Sequence, residues 1–552
     1  MKRFETLSGC ACCPVHRRRF LATGCAACAG AASLVGVGRL AHAAEKPDKT
    51  RIRVIYALHA EVQPGADWPN VGFDFRPVMA RIDAALKQGC PDFEFVTSMA
   101  KTPQDAQKII DGDQSAGVDG YLVYQMNCWN RVVQTIVASG KPTLYADFQY
   151  AGSGGFLVYT AGFLRSGASN VGFIGSSRMD DVVAAVRCFE RVKSGATPAE
   201  FATAVAAVRK QRTPAPSDLA CQPDPISALS PRDCLARMKE SKILAVAHVS
   251  AEYAAVVKQE MGVEIVAVPF AELNAAWEVA DKDESRAVAD RWQKSAARVA
   301  DVSRETLENS AAMYLAEKAV LKKHGANAIT INCLGGFYGN HIHAYPCLGF
   351  HELANEGFVG ACECDVRSTS TMVAMTALTQ GRPGYISDPV IDTAKRQIIY
   401  AHCVASNRVF GPKGPANPFE ILTHSEDRQG ASVRSLLPSG YMTTSVEFGP
   451  DRKTILFHQG KAVGNDPDDR ACRTKLVAEP VGDGSSQQRP DGTAEKENED
   501  ELPGVKRVHL KIVDVVEGDV RHETYLGPGT HDDNEDDHGQ RDVLHRGRLR
   551  RL

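Results

Sequence analysis

Beyond its first forty or so residues the chain has no run of roughly 18 consecutive apolar residues, so nothing there reads as a membrane-spanning helix. It also lacks a strong charge imbalance. The 64 Lys and Arg against 67 Asp and Glu leave a formal net charge of −3. That gives no electrostatic reason to expect nucleic acid as a partner. Gly152-Ser153-Gly154-Gly155 has no following Lys and Ser/Thr of a phosphate-binding loop and reads as a flexible turn. What is left, 552 residues of which 43% are hydrophobic, is a globular composition long enough for about two to four domains.

The N-terminus carries a different pattern. Arg17, Arg18, Arg19, Phe20 and Leu21 are followed by a weakly apolar, Ala- and Gly-rich stretch over residues 22–38 and by Ala41-His42-Ala43. Charged start, modest apolar run and small-residue cleavage site are the parts of a secretory signal, and paired arginines point to the export route for folded proteins. The expectation is a twin-arginine signal peptide over residues 1–43, twin-arginine export machinery as a partner, and an exported, periplasmic or extracellular mature protein. Of 16 cysteines, Cys10, Cys12, Cys13, Cys25 and Cys28 fall in this leader, leaving eleven. An odd number leaves at least one thiol without an intramolecular partner. Folding in a reducing cytoplasm before export predicts few disulfides.

Residues 51–58, 93–97, 120–125, 142–147 and 172–176 read as strands, with helical spacing at 78–87, 103–113, 130–139 and 180–193. That alternation predicts βαβ units on a parallel sheet. A Pro- and Ser-containing connection over about 213–231 leads to a second such region, with strands at 243–249, 263–268 and 326–333 and a helical run over 284–323. From about 419 to 478 the pattern turns to short alternating runs split by turns, a small antiparallel β-region. Residues 484–504 and 531–552 are too polar and charged to fold alone, and only 509–516 in this tail has strand character. The expected organisation is two Rossmann-like α/β domains over 50–215 and 235–415, a small antiparallel β-domain over 416–480, and a polar, disordered tail over 481–552.

Chemistry-bearing residues cluster between 326 and 408. Glu363 sits in A-C-E-C-D-V before a helix-like run, Asp388 in G-Y-I-S-D-P just after a short strand, and His402 at the end of the strand over 397–401. Element ends over an α/β scaffold usually carry function. Two carboxylates and an imidazole suit a divalent cation such as manganese. The plainer reading of each acid is a helix cap or a solvated surface group. His341 and His343 alternate on a strand-like face and read as surface or loop. Cys362 and Cys364 read as packing residues, and Gln125 as a loop amide.

N-C-L-G-G (332–336), Y-P-C-L (345–348), E-G-F-V-G-A-C-E-C-D-V (356–366), T-M-V-A-M-T-A-L-T-Q-G-R-P (371–383), S-D-P (387–389), A-H-C (401–403), H-S-E-D-R-Q-G-A-S-V (424–433) and A-C-R-T-K-L (471–476) resemble the L-fucose isomerase and L-arabinose isomerase superfamily. The resemblance is loose over residues 49–480 and good over 326–479. It implies a metal-dependent aldose–ketose isomerase working through an enediolate on a small-molecule sugar or polyol. Mn2+ or another divalent cation would be held by Glu363, Asp388 and His402. Glu363 and Asp388, 25 residues apart, would carry the protons. It further implies a closed homo-oligomer and a last His ligand near the C-terminus. The tail departs from the family there, leaving His458 and His509 as candidates. The alternative on the same fold is an exported, non-catalytic sugar- or polyol-binding protein.

Overall fold

The computed structural model describes residues 49–481 apart from 248 and 450–453, and the backbone of a strand at Lys506–His509. The expected leader and most of the expected tail lie outside the described residues. The first sheet is built from β1 (Thr50–Ala57), β2 (Phe93–Ala100), β3 (Gly120–Gln125), β4 (Thr143–Asp147) and β5 (Val171–Ile174). All its pairs are parallel, in the order β2-β1-β3-β4-β5. Ile52, Val54, Leu122 and Leu144 pack on one face, and Ile55, Val123 and Tyr145 on the other. Strands covered on both sides need apolar residues at successive positions, which is why they read as continuous runs. Each such Val, Leu or Ile contributes about 1.5–3 kcal/mol by leaving water.

The helices between them start where the sequence supplies caps. Thr102 accepts from the Asp105 N–H at the head of Pro103–Asp113, and Thr197 and Glu200 form a reciprocal capping box ahead of Pro198–Arg212. Gly152 is no flexible turn. It precedes the helix Ser153–Arg165 with its Cα against the chain of Gln125, so that a Cβ there would lie 2.0 Å from the Gln125 carbonyl oxygen. Nor is Gln125 a loop amide. It ends β3 fully buried, its amide donating to the Asn127 carbonyl (2.5 Å) and accepting from the Tyr145 hydroxyl (2.8 Å).

Chain without helix or strand, residues 214–230, leads to a second parallel sheet. Its strands are β6 (Lys242–Val246), β7 (Glu264–Val268), β9 (Ala328–Ile331) and β10 (Val359–Ala361), in the order β10-β9-β6-β7. The helical run expected over 284–323 is two helices, Lys282–Ser295 and Arg304–His324. Ser303 caps the second by accepting from the Thr306 N–H, and β8 (Arg298–Val299) separates them.

The third layer is antiparallel, with strand order β11 (Asp388–Asp392), β12 (Gln397–His402), β17 (Thr474–Pro480), β16 (Thr454–Asn465) and β15 (Met442–Phe448). β18 (Lys506–His509) pairs on β16, ahead of the 509–516 stretch expected to be the tail's strand. β13 (Phe419–Leu422) pairs with β14 (Ser432–Ser435) and, in parallel, with β8. The antiparallel sheet therefore recruits β11 and β12 from upstream of the boundary expected at 416. The fold is α/β: two parallel sheets with their helices, then an antiparallel β-layer.

Candidate metal centre

Glu363 lies just past the carboxyl end of β10, where ligands collect in open parallel sheets. Glu363 and Cys364 both have left-handed backbone, at φ 65° and 54°. For two non-glycine residues this costs about 1–2 kcal/mol each and persists only where the surroundings over-determine it. Here the Cys364 N–H donates to the Ile331 carbonyl (3.0 Å). Asp365 then caps Val366–Leu378, its carboxylate accepting from the N–H groups of Arg367 and Ser368. The turn is pinned on both sides, and the Glu363 carboxylate projects from it.

Asp388 is the first residue of β11, not the residue after a strand as expected. The register sets it opposite Ala401, beside His402 at the end of β12. One ligand atom from each of Glu363, Asp388 and His402 lies within 4.8 Å of the other two. His402 is buried, and its Nε2 is 3.9 Å from Glu363 Oε1. Its Nδ1 accepts from the Cys403 N–H (2.9 Å), which leaves the ring proton on Nε2, facing the carboxylates. Burial alone would lower the His402 pKa, but the charges of Asp388, Cys403 and Glu363 together raise it. A cation at this place would compete with that proton.

More acid and sulfur surround the three. Desolvation pushes the Glu426 carboxyl up to about 8, opposed by His424 and reinforced by Asp67 and Glu363. The loop after β1 closes over this side. His59 pairs with Asp67 (2.8 Å), the Val71 N–H donates to the Glu426 carbonyl (2.7 Å) and the Ala471 N–H to the Pro69 carbonyl (3.3 Å). His424 lies 3.4 Å from Asp427, and Asp427 also accepts from the Tyr345 hydroxyl. The thiols of Cys403 and Cys472 are hydrogen-bonded, as are those of Cys333 and Cys362. All eleven described cysteines are free.

Other expectations fall elsewhere. His341 and His343 are exposed in a loop, as read from the sequence, stacking on Phe270 (5.4 Å) and against Trp277 (5.5 Å). His458 Nδ1 bonds to the Tyr400 hydroxyl (2.9 Å) and does not join the group around Glu363. The His509 side chain lies outside the described residues. Sequence reasoning assigned no role to His424, Glu426, Cys403 or Cys472. The motifs H-S-E-D-R and A-C-R-T-K, which contain three of them, were the available signal.

Comparison with known proteins finds relatives over part of the chain. The chain is 28% identical over 152 residues to sulfoquinovose isomerase of Priestia aryabhattai, a match covering 26% of this chain and 33% of that protein. It is 24% identical over 160 residues to sulfoquinovose isomerase of Alkalicoccus urumqiensis, covering 29% and 35%. The matches thus span about a third of the length of these relatives. No protein-family model matches the chain. Among solved structures, a carbohydrate transporter from Acidothermus cellulolyticus in complex with myo-inositol aligns at 13% identity over 53% of this chain and 79% of that one. Its TM-score of 0.16 is too low to support any argument.

Proposed function

We propose that this chain is a divalent-cation-dependent sugar isomerase that interconverts an aldose and a ketose at Glu363, Asp388 and His402. The observation that carries the reading is the convergence of those three donor atoms within 4.8 Å of one another. The likeness to sulfoquinovose isomerases over part of the chain supports the same reaction class. Two carboxylate oxygens and one imidazole nitrogen fit manganese or a similar cation better than a thiophilic one. Glu426, pushed up to about 8 chiefly by burial and further by Asp67 and Glu363, places another acidic group beside them, which fits a positive occupant. Such a cation supplies Lewis acidity and a template for neighbouring sugar oxygens.

The protein's own part is proton transfer. Isomerisation moves a weakly acidic proton between C1 and C2 of the open-chain sugar, through an enediolate. Glu363 and Asp388 flank one point and can serve as base and acid on the two carbons. The pinned turn fixes where the Glu363 carboxylate points, and burial holds His402 in one orientation. Glu426, carrying a proton at neutral pH, keeps the local charge from rising further.

The test is metal analysis of the purified protein combined with a screen of aldoses, sulfoquinovose among them, for ketose formation. Stoichiometric Mn2+ and a ketose product support the reading. Sugar binding without metal and without turnover points instead to the non-catalytic binding protein.

A further inference from the structure

His402 also belongs to a donor set of a different kind. Cys403 follows His402 directly, and Cys472 stands just before β17, whose Thr474 is the register partner of His402. One ligand atom from each of His402, Cys403 and Cys472 falls within 4.8 Å of the other two, and all three residues are buried. His424, also buried, is hydrogen-bonded to the Cys403 thiol. Behind it stands Asp427, 3.4 Å from His424 Nδ1, and the Tyr345 hydroxyl donates to Asp427 in turn. A carboxylate behind an imidazole that faces a donor cluster is the arrangement that orients metal-ligating histidines.

We infer that Cys403, Cys472 and His402, with His424 beside them, form a second cation site, selective for thiophilic ions of the zinc and cadmium class. Thiolates and imidazoles select such ions, whereas the carboxylates of Glu363 and Asp388 favour hard ones. Binding deprotonates the two thiols and releases their protons to solvent, with no change of oxidation state. Because His402 belongs to both donor sets, filling this site withdraws it from Glu363 and Asp388. That consequence rests on the function proposed above, while the binding itself does not. The chain would then be inhibited by zinc-class ions through a shared ligand rather than by displacement from the oxygen donors.

The experiment uses the full chain, reduced, freed of metal and kept under inert gas. Cd2+ is titrated in while the ultraviolet thiolate-to-cadmium charge-transfer band is followed. The expected result is a band that saturates at one equivalent. Cys472→Ser and Cys403→Ser should each weaken Cd2+ binding about 10-fold or more. Cys333→Ser and Glu363→Gln should leave the band in place. Absence of the band in the unaltered chain overturns the inference, whatever the variants do. A band that survives both Cys403→Ser and Cys472→Ser, or that vanishes with Cys333→Ser, overturns it as well. Since the readout is a sulfur–cadmium band, a chain without isomerase activity that still gives it retains this site and loses only the function proposed above.

Discussion

Replacing Glu363 by Gln keeps the side chain's shape and removes its charge, and the structure sets the size of the effect. Two unit charges at the 3.9 Å between Glu363 Oε1 and His402 Nε2 attract by about 4 kcal/mol at an effective dielectric of ~20. The Glu363 side chain is 34% exposed, so solvent screening brings this down to about 1–2 kcal/mol. The His402 imidazole, held above its ordinary value against burial by Asp388, Cys403 and Glu363, should therefore titrate lower in the variant. Against a doubly charged cation the same lost charge is worth about 2–4 kcal/mol, or roughly 30- to 700-fold in Kd. If Glu363 also moves the sugar proton, turnover at saturating Mn2+ should fall by a further ~10²–10⁴. Asp388→Asn should behave alike, whereas His402→Ala should weaken the cation more than it slows the saturated enzyme. The assays are histidine titration by NMR, Mn2+ binding calorimetry and ketose formation on the same preparations. Unchanged Mn2+ affinity in Glu363→Gln, with His402 titrating as before, would refute the shared centre.

Three further outcomes follow. Glu426, raised from an ordinary 4.5 to about 8, stays protonated in the fold while the unfolded chain ionises, so it costs stability as pH rises through that window. Glu426→Gln should flatten the pH dependence of Tm between pH 5 and 8, by at most ~5 kcal/mol and nearer ~2 with water reaching its partly exposed side chain; an unchanged slope contradicts the assigned burial. Gly152→Ala forces a Cβ to within 2.0 Å of the Gln125 carbonyl oxygen and should destabilise by about 3 kcal/mol; urea denaturation within ~0.5 kcal/mol of the parent chain would show that the close approach is not real. Arg17→Lys with Arg18→Lys should leave full-length precursor inside the cell by immunoblot, and normal maturation of the double variant rules out the expected export route.

The parallel strands were legible because strands covered on both faces need apolar residues in succession, so 51–58 and 120–125 stand out without any partner in view. The break in 284–323 was not. β8 is two residues long, and its partner Phe419–Leu422 lies more than a hundred residues onward, so no local pattern marks it. Asp388 and His402 were visible as residues but not as neighbours on adjacent antiparallel strands, because sheet membership is a long-range property. The left-handed turn at Glu363 carries no glycine to announce it. Its causes are one long-range and one local: a hydrogen bond to Ile331 on one side and the Asp365 cap on the other.

The thiols around His402 were the hardest to read, because buried cysteine is by default a small apolar residue. Cys333, Cys362, Cys403 and Cys472 are spread over about 140 residues and come together only where β9, β10 and β12 end and β17 begins. That placement has a chemical consequence. His402 belongs to a group of oxygen donors and to a group of sulfur donors, and its Nδ1 is taken up by a backbone N–H, which leaves one ring nitrogen for both. One imidazole cannot serve a hard cation and a soft one equally well. If both cations bind as proposed, the centre is selective by competition. On that proposal its occupancy would depend on which class of ion is abundant and on whether the thiols are reduced, because only the thiolate binds metal.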